Sequence, residues 1–331
     1  MVEPSFFQQN VIALIWDFDH TLSPHYMQRP LFRAYDIDEQ QFWKEVNALP
    51  AYYLRGGVHV QRDTCYLGHL LSYVRCGRMP GLTNARLREL GADIDFFPGV
   101  PDIFDRLKAV SRERPFAPFD LRVEHYVVST GIAEMIRGSR IAPMLDGIWA
   151  SEFIEEPAAP GADLSGAPRP GVISQIASFL DHTTKTRALF EINKGVNVEP
   201  SITVNAMIPE DARRVPFRNM IYIADGPSDI PSFSVVRKHG GFAYAVYNPD
   251  SDEQFEQAVH LLEKGRVDAY GPADFRVGAQ TDKWLALQVR KIAGRIMDER
   301  QRALARNVAR EPIHLEDDAA LEGPIQRGPQ S

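Results

Sequence analysis

Acidic residues recur in two short clusters of the sequence, DFDHT and DGPSD. Asp17 and Asp19 alternate in the first cluster, and Asp225 and Asp229 stand in the second. Four carboxylates that meet at one point repel one another unless protons or a cation offset their charge. Oxygen-only ligands suit a hard ion, so the pattern indicates a Mg²⁺ site completed by waters and phosphate oxygens.

Short apolar runs precede these clusters and predict the elements that position them. Such runs are too short for helices and read as strands buried on both faces: VIALIW at 11–16, VEHYVV at 123–128, MIYIA at 220–224 and FAYAVY at 242–247. Helical patterns at 101–110 and 131–141 lie between them. Strands that alternate with helices predict an α/β fold with a parallel sheet.

Three of the predicted strands end in polar clusters, and the third cluster is Ser129, Thr130 and Gly131. The carboxyl ends of parallel strands meet at one edge of the sheet, where ligands bind. Ser129 offers a hydroxyl, with backbone N–H groups at a helix start that favours anions. A lysine from a later segment would complete a phosphate site. These groups together suggest phosphoryl transfer with a carboxylate nucleophile.

Other catalytic and metal-binding patterns are absent from the sequence or incomplete in it. The sequence has no GxxxxGK[ST] loop, no kinase catalytic loop and no GxSxG elbow. An EF-hand starting at Asp17 would need Gly and Glu where Leu22 and Gln28 stand. His59 and His69 have no HExxH partner, and we interpret them as structural or solvent-facing.

A helical insertion interrupts the α/β alternation after the first strand. Apolar periodicity predicts three helices there, with Gly77 and Pro80 ending the second, and we interpret the insertion as a cap over the site. The predicted organisation is an α/β core at 1–23 and 98–280, a cap at 24–97, an amphipathic helix at 281–310 and a disordered tail at 311–331. The Ala-, Pro- and Gly-rich stretch 156–170 is expected to be an exposed loop.

Composition limits the classes of partner. The 331 residues carry 37 Lys+Arg and 44 Asp+Glu, a net charge of −7, which argues against a nucleic-acid binder. Two cysteines without a CxxC pattern favour a reducing, cytoplasmic compartment. No segment approaches the ~20 apolar residues of a membrane span, and the N-terminus lacks signal-peptide features. We expect a small phosphomonoester as partner and no membrane; a homo-oligomer stays open.

With these motifs in this order, the sequence resembles the haloacid dehalogenase superfamily of aspartyl-nucleophile phosphatases. The resemblance covers about 17 to 229: DFDHT, a strand ending in Ser129, a later lysine, and DGPSD. It implies a Rossmann-like core, and the insertion looks like the cap of the phosphoserine-phosphatase-like branch. ASEF at 150–153 stands where that branch has a short strand before its lysine segment.

The resemblance implies a role for each matched residue. Asp17 would attack phosphorus, and Asp19 would protonate the leaving oxygen and then activate water. Mg²⁺ would be held by Asp17, by Asp19 through its backbone carbonyl, and by Asp225. The remaining matched residues would bind phosphate or support the loops: Ser129 and Thr130 for phosphate, and Thr21, Gly226 and Asp229 as support, the last ordering the metal or the lysine.

Two lysines compete for the catalytic place, Lys185 and Lys194. Both lie on one predicted helix that starts near Thr183 and ends before Gly195. Nine residues put them on opposite faces, ~13 Å apart along the axis, so one phosphate cannot contact both. A helix that feeds a parallel strand starts at the edge where strands end. The sequence therefore predicts Lys185 as the catalytic and phosphate-binding lysine.

Alternative functions stay open at the sequence level. A phosphotransferase or phosphomutase of the same superfamily would keep both acids of the first motif. A non-catalytic protein could instead bind a partner through the basic C-terminal helix, where Arg290, Arg295 and Arg300 belong to a longer basic series. The substrate is also open, and phosphoserine is one candidate. Five cap residues could face it: Arg55, His59, Arg62, Tyr66 and His69.

Overall fold

A computed structural model describes residues 8–308, and its centre is a seven-stranded sheet. The strands are β1 Val11–Trp16, β2 Arg122–Ile132, β3 Gly147–Ile154, β4 Gln175–Ser178, β5 Met220–Ala224, β6 Phe242–Tyr247 and β7 Ala269–Pro272. Their order is β4-β3-β2-β1-β5-β6-β7, and only β4 runs antiparallel to its neighbour. The predicted α/β class with a parallel sheet is confirmed.

Ten α-helices surround the sheet within residues 8–308. They are α1 Arg29–Ala34, α2 Glu39–Leu54, α3 Cys65–Arg75, α4 Asn84–Gly91, α5 Asp102–Val110, α6 Ala133–Gly138, α7 Lys185–Lys194, α8 Ile230–Lys238, α9 Asp252–Glu263 and α10 Gln280–Val308. No helix in this part of the chain is long and apolar enough to cross a membrane.

Both faces of the central strands are buried, which explains their continuous apolar sequence. Alternate residues of β1 face opposite sides: Ile12 and Leu14 pack in one core, with α5 and α10, and Ala13 and Ile15 pack in the other, with α7, α8 and α9. All six residues of β1 are buried. The sheet is therefore a rigid platform for the loops that follow β1, β2 and β5.

Four helices, α1 to α4, fill the insertion between β1 and α5. The sequence predicted three; α1 was missed because its six residues, with Pro30 at the start, are too few for a periodic pattern. The amide of Phe97 donates to the carbonyl of Leu22 at 2.9 Å. The two ends of the insertion therefore lie side by side.

The fourth helix of the insertion, α4, packs closely on the core helix α6. A Cβ added to Gly91 would lie 2.1 Å from the Met135 carbonyl oxygen, and one added to Gly138 would lie 1.7 Å from that of Arg88. Glycine at both positions lets the two backbones touch. The insertion is thus fixed to the core through α4.

Several predicted boundaries differ from the structure. β2 continues through the Ser129 cluster to Ile132 with a register shift after Val128, so the helix predicted at 131–141 is shorter, Ala133–Gly138. The short strands β4 and β7 were not predicted, because four residues give little alternation. The stretch 156–170 has no helix or strand and is largely exposed. Residues 309–310 of the predicted helix and the whole tail 311–331 lie outside the described residues.

The C-terminal helix α10 packs on the core through its predicted apolar face, where Leu285, Val289, Ile292 and Ile296 are buried. Three of its arginines bind groups of the same chain. Arg290 pairs with Glu113 at 2.7 Å, Arg295 donates to the Asn219 side chain at 2.8 Å, and Arg300 donates to the Phe119 carbonyl. These charges hold the helix in place, which weakens the interpretation of α10 as a partner-binding element.

Candidate active site

The loop after β1 carries the first acidic pair. The Asp17 amide donates to the Ile223 carbonyl of β5 at 2.9 Å, so the sheet itself anchors this residue. A tight turn follows, in which the Leu22 amide donates to the Phe18 carbonyl at 2.9 Å and His20 adopts a left-handed φ of 57°. Asp17 and Asp19 both line the cavity above this loop.

Lys185 lies at the first turn of α7 and contacts two acids. Its Nζ donates to Asp17 Oδ1 at 2.7 Å and to Asp229 Oδ1 at 2.8 Å, and all three side chains are buried. The helix start is fixed by Asp181, whose Oδ1 accepts from the Thr184 amide at 2.6 Å while Thr184 Oγ1 accepts from the Asp181 amide at 2.7 Å. This reciprocal cap sets the position of Lys185.

The structure places Lys194 away from this site. Its Nζ donates to the carbonyl oxygens of Val204 and Ala206, within the long connection before β5. Gly195 ends the helix with φ of 86°, a left-handed conformation that glycine adopts without strain. Of the two lysines on α7, the structure brings Lys185 to the carboxylates.

Asp229 is held by two further hydroxyl groups. Tyr222 donates to Asp229 Oδ1 at 2.6 Å, and Ser228 Oγ donates to Oδ2 at 2.8 Å. The sequence analysis missed Tyr222, because within MIYIA an aromatic residue is interpreted as core. The sequence does contain a signal for this contact, because Tyr222 stands in a strand that leads into the acidic cluster. A buried Tyr hydroxyl usually forms a hydrogen bond with a polar partner.

Three carboxylates form a group that suits a metal ion. One oxygen each from Asp17, Asp225 and Asp229 lie within 4.8 Å of one another. The Asp19 side chain is not in this group and instead accepts a hydrogen bond from the Met27 amide at 2.9 Å. Only the backbone carbonyl of Asp19 is therefore expected to contribute a ligand to a metal site. An oxygen-only set fits Mg²⁺.

Burial and neighbouring charges separate the pKa values of the two acids in the first motif. Burial, together with the charge of Asp229, raises the pKa of Asp17 to about 6 against the opposing effect of Lys185. Burial and the Asp17 charge raise the pKa of Asp19 to about 8. Asp17 is then mostly ionised at neutral pH while Asp19 carries a proton, so two carboxyl groups of one loop differ in protonation state.

The pKa values of Lys185 and Asp225 are also displaced. Burial disfavours the charge of Lys185, but Asp17 and Asp229 outweigh it and hold its pKa well above the usual range. Burial and the Asp17 charge raise the pKa of Asp225 well above its ordinary value. A cation at this place would oppose that rise, because an opposite charge favours the ionised carboxylate.

The bulge in β2 presents the predicted phosphate-binding residues to the cavity. Ser129 Oγ accepts from the Gly131 amide at 3.0 Å, and the Thr130 carbonyl accepts from Tyr66 of the cap at 2.8 Å. A Cβ on Gly131 would lie 2.1 Å from Met27 Cε, so glycine at this position leaves room for the Met27 side chain at the start of the insertion.

The two remaining predicted support residues show no side-chain contact with the acids. Thr21 is fully buried and its Oγ1 has no hydrogen-bond partner among the described residues. Gly226 has extended backbone geometry, and its carbonyl accepts from the Asp229 amide at 3.1 Å. Gly226 thus helps to fold the second acidic loop.

A cavity of about 1210 Å³ lies between the strand ends and the cap. Its floor holds Asp17, Asp19, Asp225, Ser129 and Lys185, and its wall comes largely from α2, with Tyr66 of α3 and the segment just before that helix. Of the five cap candidates, Arg62 and Tyr66 line it, whereas Arg55, His59 and His69 do not. His69 packs inside the cap, with Nε2 2.7 Å from a Glu45 oxygen.

The cap also contacts the loop before α7. Gln61 Nε2 lies 3.4 Å from Asp181 Oδ2, and the His182 amide donates to Asp63 Oδ2 at 3.2 Å. With the bond from Tyr66 to the Thr130 carbonyl, the cap is anchored on two sides of the cavity. These contacts hold the insertion over the strand ends that carry the acids.

Comparison with known proteins gives one close relative in sequence. A protein of Borreliella burgdorferi described as an uncharacterized protein is 36% identical over 284 residues, which cover 84% of this chain and 96% of that protein. No family model matches the sequence.

Several solved structures are similar over most of the chain at low sequence identity. A HAD family hydrolase from Salmonella enterica serovar Typhi is 14% identical, with a TM-score of 0.45 over 81% of this chain and 69% of that one. A substrate-bound phosphoserine phosphatase is 14% identical, with a TM-score of 0.44 over 80% and 93%. A probable phosphoserine phosphatase from Vibrio cholerae is 11% identical, with a TM-score of 0.44 over 86% and 66%.

Proposed function

The chain belongs to one family with the uncharacterized protein of Borreliella burgdorferi, and we propose that it is a phosphomonoester hydrolase of the haloacid dehalogenase superfamily. In this proposal it uses Mg²⁺ and forms an aspartyl phosphate on Asp17. The observation that carries the proposal is the position of Lys185, whose Nζ bridges Asp17 and the fully buried Asp229 at the floor of a cavity that Asp17, Asp19, Ser129 and Asp225 line.

The first half of the proposed reaction transfers the phosphoryl group to the protein. A carboxylate oxygen of Asp17 forms a bond to phosphorus while the bond from phosphorus to the ester oxygen breaks. The Asp19 carboxyl gives its proton to that leaving oxygen, so an alcohol departs. Lys185 and the Ser129 hydroxyl hold phosphoryl oxygens, whose charge they stabilise by hydrogen bonds.

The second half returns the protein to its starting state. Asp19, now a carboxylate, takes a proton from water as the water oxygen bonds to phosphorus, and the bond from phosphorus to Asp17 breaks. Asp225 and Asp229, with Asp17, would hold Mg²⁺, which offsets the carboxylate charge and polarises phosphoryl oxygens. Tyr222 and Ser228 keep Asp229 oriented toward Lys185.

Phosphate release from a panel of phosphomonoesters tests the proposal. We expect Mg²⁺-dependent release that excess chelator abolishes, and loss of release in Asp17→Asn. Asp163→Asn is the matched control, because Asp163 lies exposed in the 156–170 loop, does not line the cavity, and accepts a hydrogen bond from the Ser165 amide at 2.9 Å. Full activity in chelator, or turnover retained by Asp17→Asn, would refute the proposal. Transfer to an added alcohol in place of water would favour the phosphotransferase alternative.

A further inference from the structure

A row of aromatic side chains leads from the catalytic loop into the cap. The rings of His20 and Tyr26 have centroids 4.7 Å apart, and Tyr26 lies at the same centroid distance from Trp43. Tyr66 follows at 5.8 Å from Trp43. All four residues line the cavity, so a bound molecule meets an aromatic wall directly beside the acids.

The cavity is large for a small phosphate ester. Its volume of about 1210 Å³ exceeds the ~300–1,000 Å³ of ordinary ligand sites. A phosphorylated three-carbon compound held at Lys185 would leave most of this space, including the aromatic wall, to water. The volume fits an ester whose alcohol part extends from the acids to α2.

Two cationic side chains of the cavity wall are available to bind a ligand. Glu39 lies 3.6 Å from Arg29, and Asp63 lies 3.5 Å from His182, so both acids have basic neighbours. Lys44 and Arg62 line the same cavity and, within residues 8–308, form no ion pair. The wall therefore binds an electron-rich, polar group of a ligand more readily than a cationic group.

We propose that the preferred substrate is a nucleoside monophosphate, whose planar base lies on Trp43 and Tyr26 while its phosphate occupies the acid and lysine site. This inference rests on the proposed function. A nucleobase combines a flat π surface with donors and acceptors on its edge, which matches a wall that holds aromatic rings and the amide side chains of Gln40 and Asn47. Phosphoserine, in contrast, offers a cationic amine and no ring.

Matched substrates test the inference. We expect kcat/KM for nucleoside 5′-monophosphates to exceed that for ribose 5-phosphate, which keeps the same ester and lacks the base, by about 5- to 100-fold, the range that base stacking on an aromatic residue provides. Trp43→Leu and, separately, Tyr26→Leu should reduce this ratio about tenfold. Trp43→Phe keeps a ring and should reduce it less.

Tyr52→Leu is the control, because Tyr52 is an exposed aromatic residue of the same helix and does not line the cavity. It should leave the ratio unchanged. A preference for ribose 5-phosphate or phosphoserine, or a ratio that neither cavity variant alters, would overturn the inference while Mg²⁺-dependent hydrolysis stood.

A binding measurement covers the case in which no ester is hydrolysed. Calorimetry with Asp17→Asn compares a nucleoside monophosphate with ribose 5-phosphate, and the inference requires tighter binding of the nucleotide. Equal or weaker binding would refute it, whatever the kinetics show. The proposed function fails on a different result, the absence of phosphate release from every ester.

Discussion

Among single residues, the burial of Lys185 with Asp17 and Asp229 carries a large desolvation free energy. Removing charges from water requires several kcal/mol for each ion, and apolar replacements of such pairs are often equally stable. Stability alone therefore gives little reason for one lysine and two acids, each less than a tenth exposed, at the end of a sheet. Phosphoryl transfer gives a reason, because in the proposed reaction Asp17 and Lys185 act on the substrate and Asp229 holds Lys185 in place.

Lys185→Ala and Lys194→Ala separate catalysis from stability. We expect Lys185→Ala to lower kcat/KM at least 100-fold, since it removes the cation beside the nucleophile. Lys194→Ala should leave kcat/KM unchanged and lower the free energy of unfolding by about 1–2 kcal/mol, because two carbonyls lose a charged donor. Steady-state kinetics and urea unfolding check both, and the reverse pattern would contradict the assignment.

His125 predicts how stability depends on pH. Its Nδ1 accepts from the Trp16 indole at 3.2 Å and its Nε2 lies 3.1 Å from the Phe104 carbonyl, so the neutral ring satisfies both neighbours. Burial and the charge of Lys108 lower its pKa to about 3. A pKa below the unfolded value means that the stabilisation is complete above about pH 6.5 and is lost as pH falls toward 3.

Unfolding in urea between pH 7.5 and 5 measures this effect. The free energy of unfolding should fall by about 2 kcal/mol between pH 6.5 and 5 on account of His125, at ~1.4 kcal/mol per pH unit. His125→Gln keeps a donor and an acceptor without the titration, and its stability should depend less steeply on pH. An equal slope in both proteins would show that His125 does not titrate on unfolding.

At the scale of elements, α4 and α6 decide how the cap is attached. The two helices meet through Gly91 and Gly138, and α4 also contacts the core where the Asn84 side chain donates to the Phe153 carbonyl at 3.0 Å. The helix α2 forms most of the cavity wall, while α4 holds the base of the insertion. The cap is thus supported by a backbone contact that tolerates no side chain.

Gly138→Ala tests this contact. An added methyl would lie 1.7 Å from the Arg88 carbonyl, so α4 must shift, and we expect a loss of about 1–3 kcal/mol in the free energy of unfolding. Gly68→Ala is the control, because Gly68 lies within α3 with open space around it, and alanine there should stabilise the protein by up to about 1 kcal/mol. Equal effects of the two substitutions would disprove the close contact.

At the scale of the whole molecule, the sequence predicts what depends on chain direction and periodicity. Asp17, Ser129 and Asp225 converge because parallel strands all end at one edge, and Lys185 joins them because α7 begins at that edge. No tertiary information is needed for that inference. The α/β class follows in the same way.

The sequence does not predict contacts that depend on how distant elements pack. The hydroxyl of Tyr222 meets Asp229 only through the geometry of the loop after β5, and Tyr66 meets the Thr130 carbonyl only when the cap docks. Which cap residues face the cavity depends on the rotation of α2 and α3, which periodicity leaves open. Short elements such as α1 and β4 carry too few residues for any pattern.

The proposed reaction requires an aspartyl phosphate on Asp17, and chemical trapping detects such an intermediate. The protein is mixed rapidly with Mg²⁺ and a phosphomonoester that it hydrolyses, and borohydride is then added. Borohydride reduces an acyl phosphate to an alcohol, and peptide mass spectrometry locates that alcohol in the sequence. We predict homoserine at position 17 that requires both substrate and Mg²⁺. With an aryl ester, whose leaving oxygen needs no proton from Asp19, Asp19→Asn should give more homoserine because hydrolysis of the intermediate is slower. Continued turnover with position 17 unmodified, or reduction at another acid, would contradict the account.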